Sequence, residues 1–249
     1  MAPWTNETLL LISCAFLLAG FVKGVVGFGL PTVGLVVLAL FTGVVDAMAL
    51  ILVPAAVTNL WQAMVGGNLM AILRRFWPLL LALCLGTWIS AGWLVGADAL
   101  VLSAALGLLL VVYAGISLAG LQFPSPGKHE RWWTPVVGLV NGLITGLTGT
   151  FVVPSVLYLQ ALGLPAGQLI QTMGVFFLTA SLALSFGLAD HGLIAGGVPW
   201  LSAVGVVPAL LGMLMGALLR RWMPAAMFRR VFFVALLLLG AYLAVRGFV

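Results

Sequence analysis

From Leu100 to Leu121 the chain carries no ionisable side chain except the Tyr113 phenol, and several comparable apolar runs precede and follow it. About 20 consecutive apolar residues are what a membrane-spanning helix needs. A soluble fold is excluded by what it would have to show to water. Soluble domains carry about 25% charged residues, whereas this chain has 6%, against 64% hydrophobic. The sequence therefore predicts a polytopic integral membrane protein, all-α, with nearly its whole length in or across the bilayer.

The runs fall at residues 7–26, 30–44, 47–66, 76–97 and 99–121, then at 135–147, 150–162, 166–188, 193–219 and 225–247. Between the two sets lies Gln122 to Thr134, QFPSPGKHERWWT, where Pro124, Pro126 and Gly127 oppose helix continuation. This divides the chain into an N-terminal transmembrane repeat (1–121), a linker expected to be cytoplasmic (122–134) and a C-terminal repeat (135–249). The first run is preceded by Glu7 and no basic residue, so it is not expected to be a cleavable signal. Cys14 and Cys84 lie within apolar runs and read as small buried hydrophobes.

The halves read as copies. Gly20, Gly24 and Gly27 recur as Gly142, Gly146 and Gly149 at an offset of 122, which also pairs Asp46 with Gln168. An offset of 126 pairs Gly86 with Gly212 and Ser90 with Gly216, and 125 pairs Gly115 with Gly240. Charge then orients them. Cytoplasmic loops are enriched in Lys and Arg. If each run crosses once from an outer N-terminus, the loops with Arg74/Arg75, Lys128/Arg131 and Arg220/Arg221/Arg229/Arg230 all fall inside, leaving Arg246 outside. Four crossings per half would separate Arg74/Arg75 from the 220–230 cluster. An odd number per half is expected, which makes the repeats inverted, a recurring design of secondary transporters.

Runs 30–44 and 150–162 are short. A helix of about 14 residues covers about 21 Å, against about 30 Å of hydrocarbon. Each half is therefore expected to open with broken or re-entrant half-helices meeting near mid-membrane, although two full crossings satisfy the charge pattern equally. The breaks are Gly27-Phe28-Gly29-Leu30-Pro31 and Thr148-Gly149-Thr150-Phe151. Unwound backbone in a bilayer must be buried in protein or line a watery cavity. A helix starting there turns its amide N–H groups and positive dipole end toward the break. Two such starts make an anion-attracting centre. The alternative is that the glycines serve only close helix packing.

Lys23 is the one strongly basic residue well inside an apolar run. Such a charge is costly and by default marks function; the alternative is snorkelling to the interface. Thr145 stands at its equivalent, so the halves differ chemically. Asn141, Thr145, Thr148 and Thr150 form a polar stripe at the second break, Asn59 and Gln62 lie in the third run, and Gln171, Thr172 and Ser181 in its counterpart. Each is a candidate substrate contact or a helix-to-helix hydrogen bond.

No metal-binding, nucleophilic or nucleotide-binding motif is present, and His129 and His191 both fall in loops, so no cofactor or metal is expected and the chain is not read as an enzyme. Without a nucleotide site, coupling must come from an ion gradient or the membrane potential. The rival reading is an integral-membrane assembly or accessory protein without transport activity.

GFVKGVVGFG (20–29) and GLITGLTGTFVVP (142–154) resemble the signature of the sulfite exporter TauE/SafE family. The second departs from the glycine-rich form at Thr150 and Phe151. The resemblance covers essentially the whole chain. It implies a bacterial inner-membrane permease for sulfur-containing anions such as sulfite or organosulfonates. The substrate-contact candidates are then Lys23, Gly27, Phe28, Gly29, Asn59, Gln62, Asn141, Thr145, Thr148, Gly149, Thr150 and Gln171. The expected partners are a small anion, a coupling proton or sodium ion, the lipid bilayer and a second copy in a homodimer, with no nucleic acid. Both termini are expected to be periplasmic.

Overall fold

A computed structural model describes residues 6–121, 123–194, 198–220, 222 and 225–246. All regular elements among them are helical. In chain order they are α1 (Asn6–Val26), α2 (Leu30–Thr42), α3 (Val44–Met64), α4 (Leu69–Ala91), α5 (Ala99–Leu118), α6 (Glu130–Thr148), α7 (Ser155–Ala161), α8 (Ala166–Asp190), α9 (Val198–Val204), α10 (Val206–Leu219) and α11 (Ala225–Arg246). Short 3₁₀ turns occupy Gly92–Leu94 and Gly127–His129. Seven segments are long and apolar enough to cross a membrane: α1, α3, α4 with its 3₁₀ turn, α5, α8, α9–α10 taken together, and α11. The protein is an all-α polytopic membrane protein. α6 has comparable length, but the polar stripe along it makes it less apolar.

Several expected boundaries move for local reasons. The basic pairs sit in helix ends rather than loops: Arg74 and Arg75 lie in the second turn of α4, and Arg131 in the first turn of α6. The Arg75 guanidinium makes a bidentate pair with Glu130, both bonds 2.8 Å, which holds the two starts together. The run at 150–162 contributes only α7, because Gly149 turns left-handed and the chain stays non-helical to Pro154. The run at 193–219 divides at Gly205, whose backbone rests on the Phe16 ring with no room for a Cβ. Gln122 and Arg221 lie outside the described residues.

The helices pack as two compact units, each drawing on both sequence halves. One holds α1, α2, α3 as far as Pro54, α5, α9, α10 and α11; the other holds the remainder of α3, α4, α6, α7 and α8. In the first unit α1 and α10 run parallel. Gly20 lies on the carbonyl of Ala209, Gly24 on that of Met213, and Gly212 on that of Leu17. In the second unit α4 and α6 run parallel. Gly142 lies on the carbonyl of Leu83, Gly146 beside Thr87 and Ser90, and Gly86 on Leu139 and Leu143.

The register is the same in both. Adding 122 to an α1 position and 126 to an α4 position converts one crossing into the other, contact by contact. Small residues at helix crossings let backbones approach closely, the main source of helix association in lipid. At Phe16 the roles are exchanged: its counterpart is Gly138, which lies on Leu79, the counterpart of Gly205. A third crossing lies in the first unit: α5 and α11 run antiparallel, and Gly240 meets Gly107 and Leu110, while Gly115 faces open space.

α3 contains Pro54, which lacks an amide hydrogen and leaves the Leu50 carbonyl without its helical donor. Ser202 of α9 supplies one. Its hydroxyl donates to Leu50 O at 2.6 Å and accepts from Val53 N–H at 3.0 Å.

Candidate functional site: two broken helices

The first break belongs to the first unit. α1 ends at Val26, and Gly27 donates its amide to the Lys23 carbonyl at 2.7 Å, closing the last turn. Gly27 and Gly29 then take φ of 90° and 107°, values that favour glycine, with buried Phe28 between them. A Cβ on Gly27 would meet nothing within 4 Å, so this glycine is required by conformation and borders open space. α2 begins at Leu30 with Pro31 in its first turn. Its ladder starts where Val33 N–H reaches Gly29 O at 2.8 Å. The amides of Leu30 and Thr32 precede that ladder, and the positive end of the α2 dipole lies at Gly29.

Lys23 is one turn back from the break and only 3% exposed. Removing an ammonium from water to this degree is costly.

The second break belongs to the second unit and is built as a clasp. α6 ends at Thr148, and Gly149 adopts φ 70° with its amide on Thr145 O at 2.8 Å. Asn141 is completely buried. Its amide donates to Phe151 O at 3.3 Å and to Thr145 Oγ1 at 3.1 Å, and its Oδ1 accepts Ser155 N–H at 3.0 Å. Thr145 donates in turn to Thr150 O at 2.9 Å, and the hydroxyls of Thr148 and Thr150 lie 2.9 Å apart. The polar stripe thus supplies the partners that unwound backbone lacks, as burial in a bilayer demands. At the first break Ala19 and Lys23 stand in place of Asn141 and Thr145. One break carries a lysine where the other carries a neutral clasp.

The structure groups Lys23, Gly27, Phe28 and Gly29 at one break and Asn141, Thr145, Thr148, Gly149 and Thr150 at the other. Gln62 and Gln171 lie at the turn joining α3 to α4. Gln171 is buried, donates to Ala63 O at 2.8 Å and accepts Asn68 N–H at 3.0 Å, while Gln62 donates to Ile170 O at 2.8 Å. Asn59 is buried one turn earlier on α3, and Thr172 and Ser181 donate to carbonyls four residues back in α8. Sequence reasoning missed Ser202 and its proline-freed carbonyl; Pro54 inside the third run was the available signal.

A family model described as Sulfite exporter TauE/SafE matches residues 12–243. The chain belongs to the sulfite exporter TauE/SafE family. The match begins within α1 and ends within α11, so it includes both breaks and all three glycine crossings. Its members are transporters rather than enzymes, in keeping with a chain whose buried polar groups hold helices and backbone together. No curated protein and no solved structure matches the chain.

Proposed function

We propose that this TauE/SafE protein is a secondary transporter that moves small sulfur-containing oxyanions, such as sulfite or organosulfonates, across the bacterial inner membrane. Binding is centred on the break between α1 and α2. The observation that carries this reading is the enclosed Lys23 ammonium, 3% exposed, one turn before an unwound glycine segment. An ammonium in low-dielectric surroundings attracts an anion more strongly than it would in water. The start of α2 adds oriented amides that need no reorganisation to receive one. The clasp at the second break positions the other unwound strand and contributes rigidity rather than charge.

The two halves are inverted repeats in this account. The shared glycine register of the α1–α10 and α4–α6 crossings supports the repeat. The antiparallel α5 and α11 support odd crossing numbers per half, since even halves would leave these corresponding helices parallel. The basic ends of α4, α6 and α11 then face the cytoplasm and both termini the periplasm. A coupling proton or sodium ion and a homodimer belong to the same proposal.

The test is flux into proteoliposomes against a panel of sulfite, sulfate, thiosulfate and a small sulfonate. The expected result is saturable movement of at least one sulfur oxyanion above protein-free vesicles. No movement of any member, in either direction and with either ion gradient, overturns the assignment.

A further inference from the structure

Many hydroxyl side chains in these helices bond back along their own helix. Thr134, Thr148, Thr172, Thr179, Ser181 and Ser185 each donate to the carbonyl four residues earlier. That bond satisfies a hydroxyl wherever a regular helix turn precedes it. Among the described residues, the buried hydroxyls of Thr32, Thr87 and Ser155 have no hydrogen-bond partner. Thr87 sits in unbroken α4, pressed against Gly142 and Gly146. The other two share a different setting.

Thr32 and Ser155 occupy corresponding places in the two repeats. Each directly follows a proline, Pro31 or Pro154, and each lies four residues after a phenylalanine, Phe28 or Phe151. Each therefore opens a helix whose preceding turn is unwound. For Ser155 the carbonyl four back is Phe151 O, already taken by Asn141. For Thr32 it belongs to Phe28, between the two left-handed glycines. Thr32 is 1% exposed and Ser155 0%. A buried hydroxyl without a partner is unfavourable, and the same arrangement arising twice is hard to attribute to accident.

We propose that the Thr32 hydroxyl is a substrate-binding donor that, together with the first-turn amides of α2, recognises the oxygens of the transported oxyanion. The inference rests on the function proposed above and assigns it a specificity residue. Three observations converge on one end of one helix. α2 has thirteen residues and a full dipole. Its first-turn amides at Leu30 and Thr32 precede the ladder. Cα–Cβ bonds in a helix tilt toward the N-terminus, so the Thr32 side chain leans toward the Gly29 end. A hydroxyl both donates and accepts, so it suits an oxyanion in either its bare or its singly protonated form. Lys23 supplies attraction that any anion would feel, whereas Thr32 supplies a directional hydrogen bond that an oxygen acceptor uses.

The experiment measures sulfite binding to purified full-length protein in detergent by intrinsic tryptophan fluorescence, alongside thermal unfolding. The proteins compared are wild type, Thr32→Val and Thr32→Ser. Thr32→Val should weaken sulfite binding about tenfold, the effect of one lost hydrogen bond. Thr32→Ser should bind within a few-fold of wild type. Thr32→Val should unfold at the same or a higher temperature than wild type, because it removes a buried polar atom that has no partner. Wild-type binding with Thr32→Val unchanged overturns this inference and leaves the transporter assignment standing. So does a Thr32→Val protein that unfolds at a clearly lower temperature or fails to fold, since the hydroxyl would then have a partner within the protein. No binding by wild type of sulfite, sulfate, thiosulfate or a small sulfonate overturns both.

Discussion

Ser202 and, in the proposed function, Lys23 are retained in a membrane interior in two different ways. Ser202 completes the backbone. Pro54 withdraws a donor from Leu50 O, and the serine replaces it from another helix while accepting from Val53. Its removal should act on stability. Ser202→Ala strands two buried backbone groups and should cost about 1–2 kcal/mol. The check is a lower unfolding temperature in detergent, with sulfite affinity little changed; an unaltered unfolding temperature would show that α3 re-forms its own bonds. Asn141 belongs to the same class, joining Phe151 O and Ser155 N–H across the second break. In the proposed function Lys23 is retained for the anion. Its counterpart Thr145 serves as a clasp, so the geometry of a break does not require a cation at that position.

At the scale of elements, much of the helix pattern was legible because hydropathy reports directly on what lipid will accept. The runs at 7–26, 99–121 and 166–188 became α1, α5 and α8 within a few residues. The misplaced boundaries are those where a polar residue is helical or an apolar one is not. Arg75 continues α4 in its pair with Glu130 and Arg74 is exposed, while Thr150 to Val153 stay non-helical, with side chains taking up the Thr150 and Phe151 carbonyls. Pairing of helices was only partly legible. Offsets of 122 and 126 identified the glycines of the α1–α10 and α4–α6 crossings, but spacing alone says nothing of which helix each one meets. The crossings yield a paired prediction. Gly142→Ala drives a methyl into the Leu83 carbonyl, and overpacking of this kind costs about 1–3 kcal/mol. Gly115→Ala enters open space within α5 and should be neutral or stabilising by up to about 1 kcal/mol. Thermal unfolding of the two variants should separate them, and equal destabilisation would contradict the packing described for α4 and α6.

For the whole molecule, the proposed orientation rests on the charge pattern. Parallel α1 and α10, parallel α4 and α6, and antiparallel α5 and α11 all follow from alternating crossings. Single cysteines in a cysteine-free background test sidedness: Ala189→Cys should react with an impermeant thiol reagent on intact cells and Ser125→Cys should not. Both positions are exposed. Labelling of Ser125→Cys alone would reverse the topology. The candidate site was less legible than the helices. Sequence singled out Lys23 and the glycine breaks because charge and glycine are conspicuous in an apolar chain. It did not distinguish Asn141 and Thr145 as clasp residues, since their hydrogen bonds close on backbone only after the turn at Gly149 has formed. The central claim is that an enclosed Lys23 holds the transported anion. Its most direct test is the concentration dependence of sulfite flux into proteoliposomes carrying wild type or Lys23→Met at matched incorporation. Charge-assisted hydrogen bonds are worth about 1.5–3 kcal/mol, so Lys23→Met should need roughly ten- to a hundredfold more sulfite for half-maximal flux. Equal half-saturation in the two proteins would contradict it.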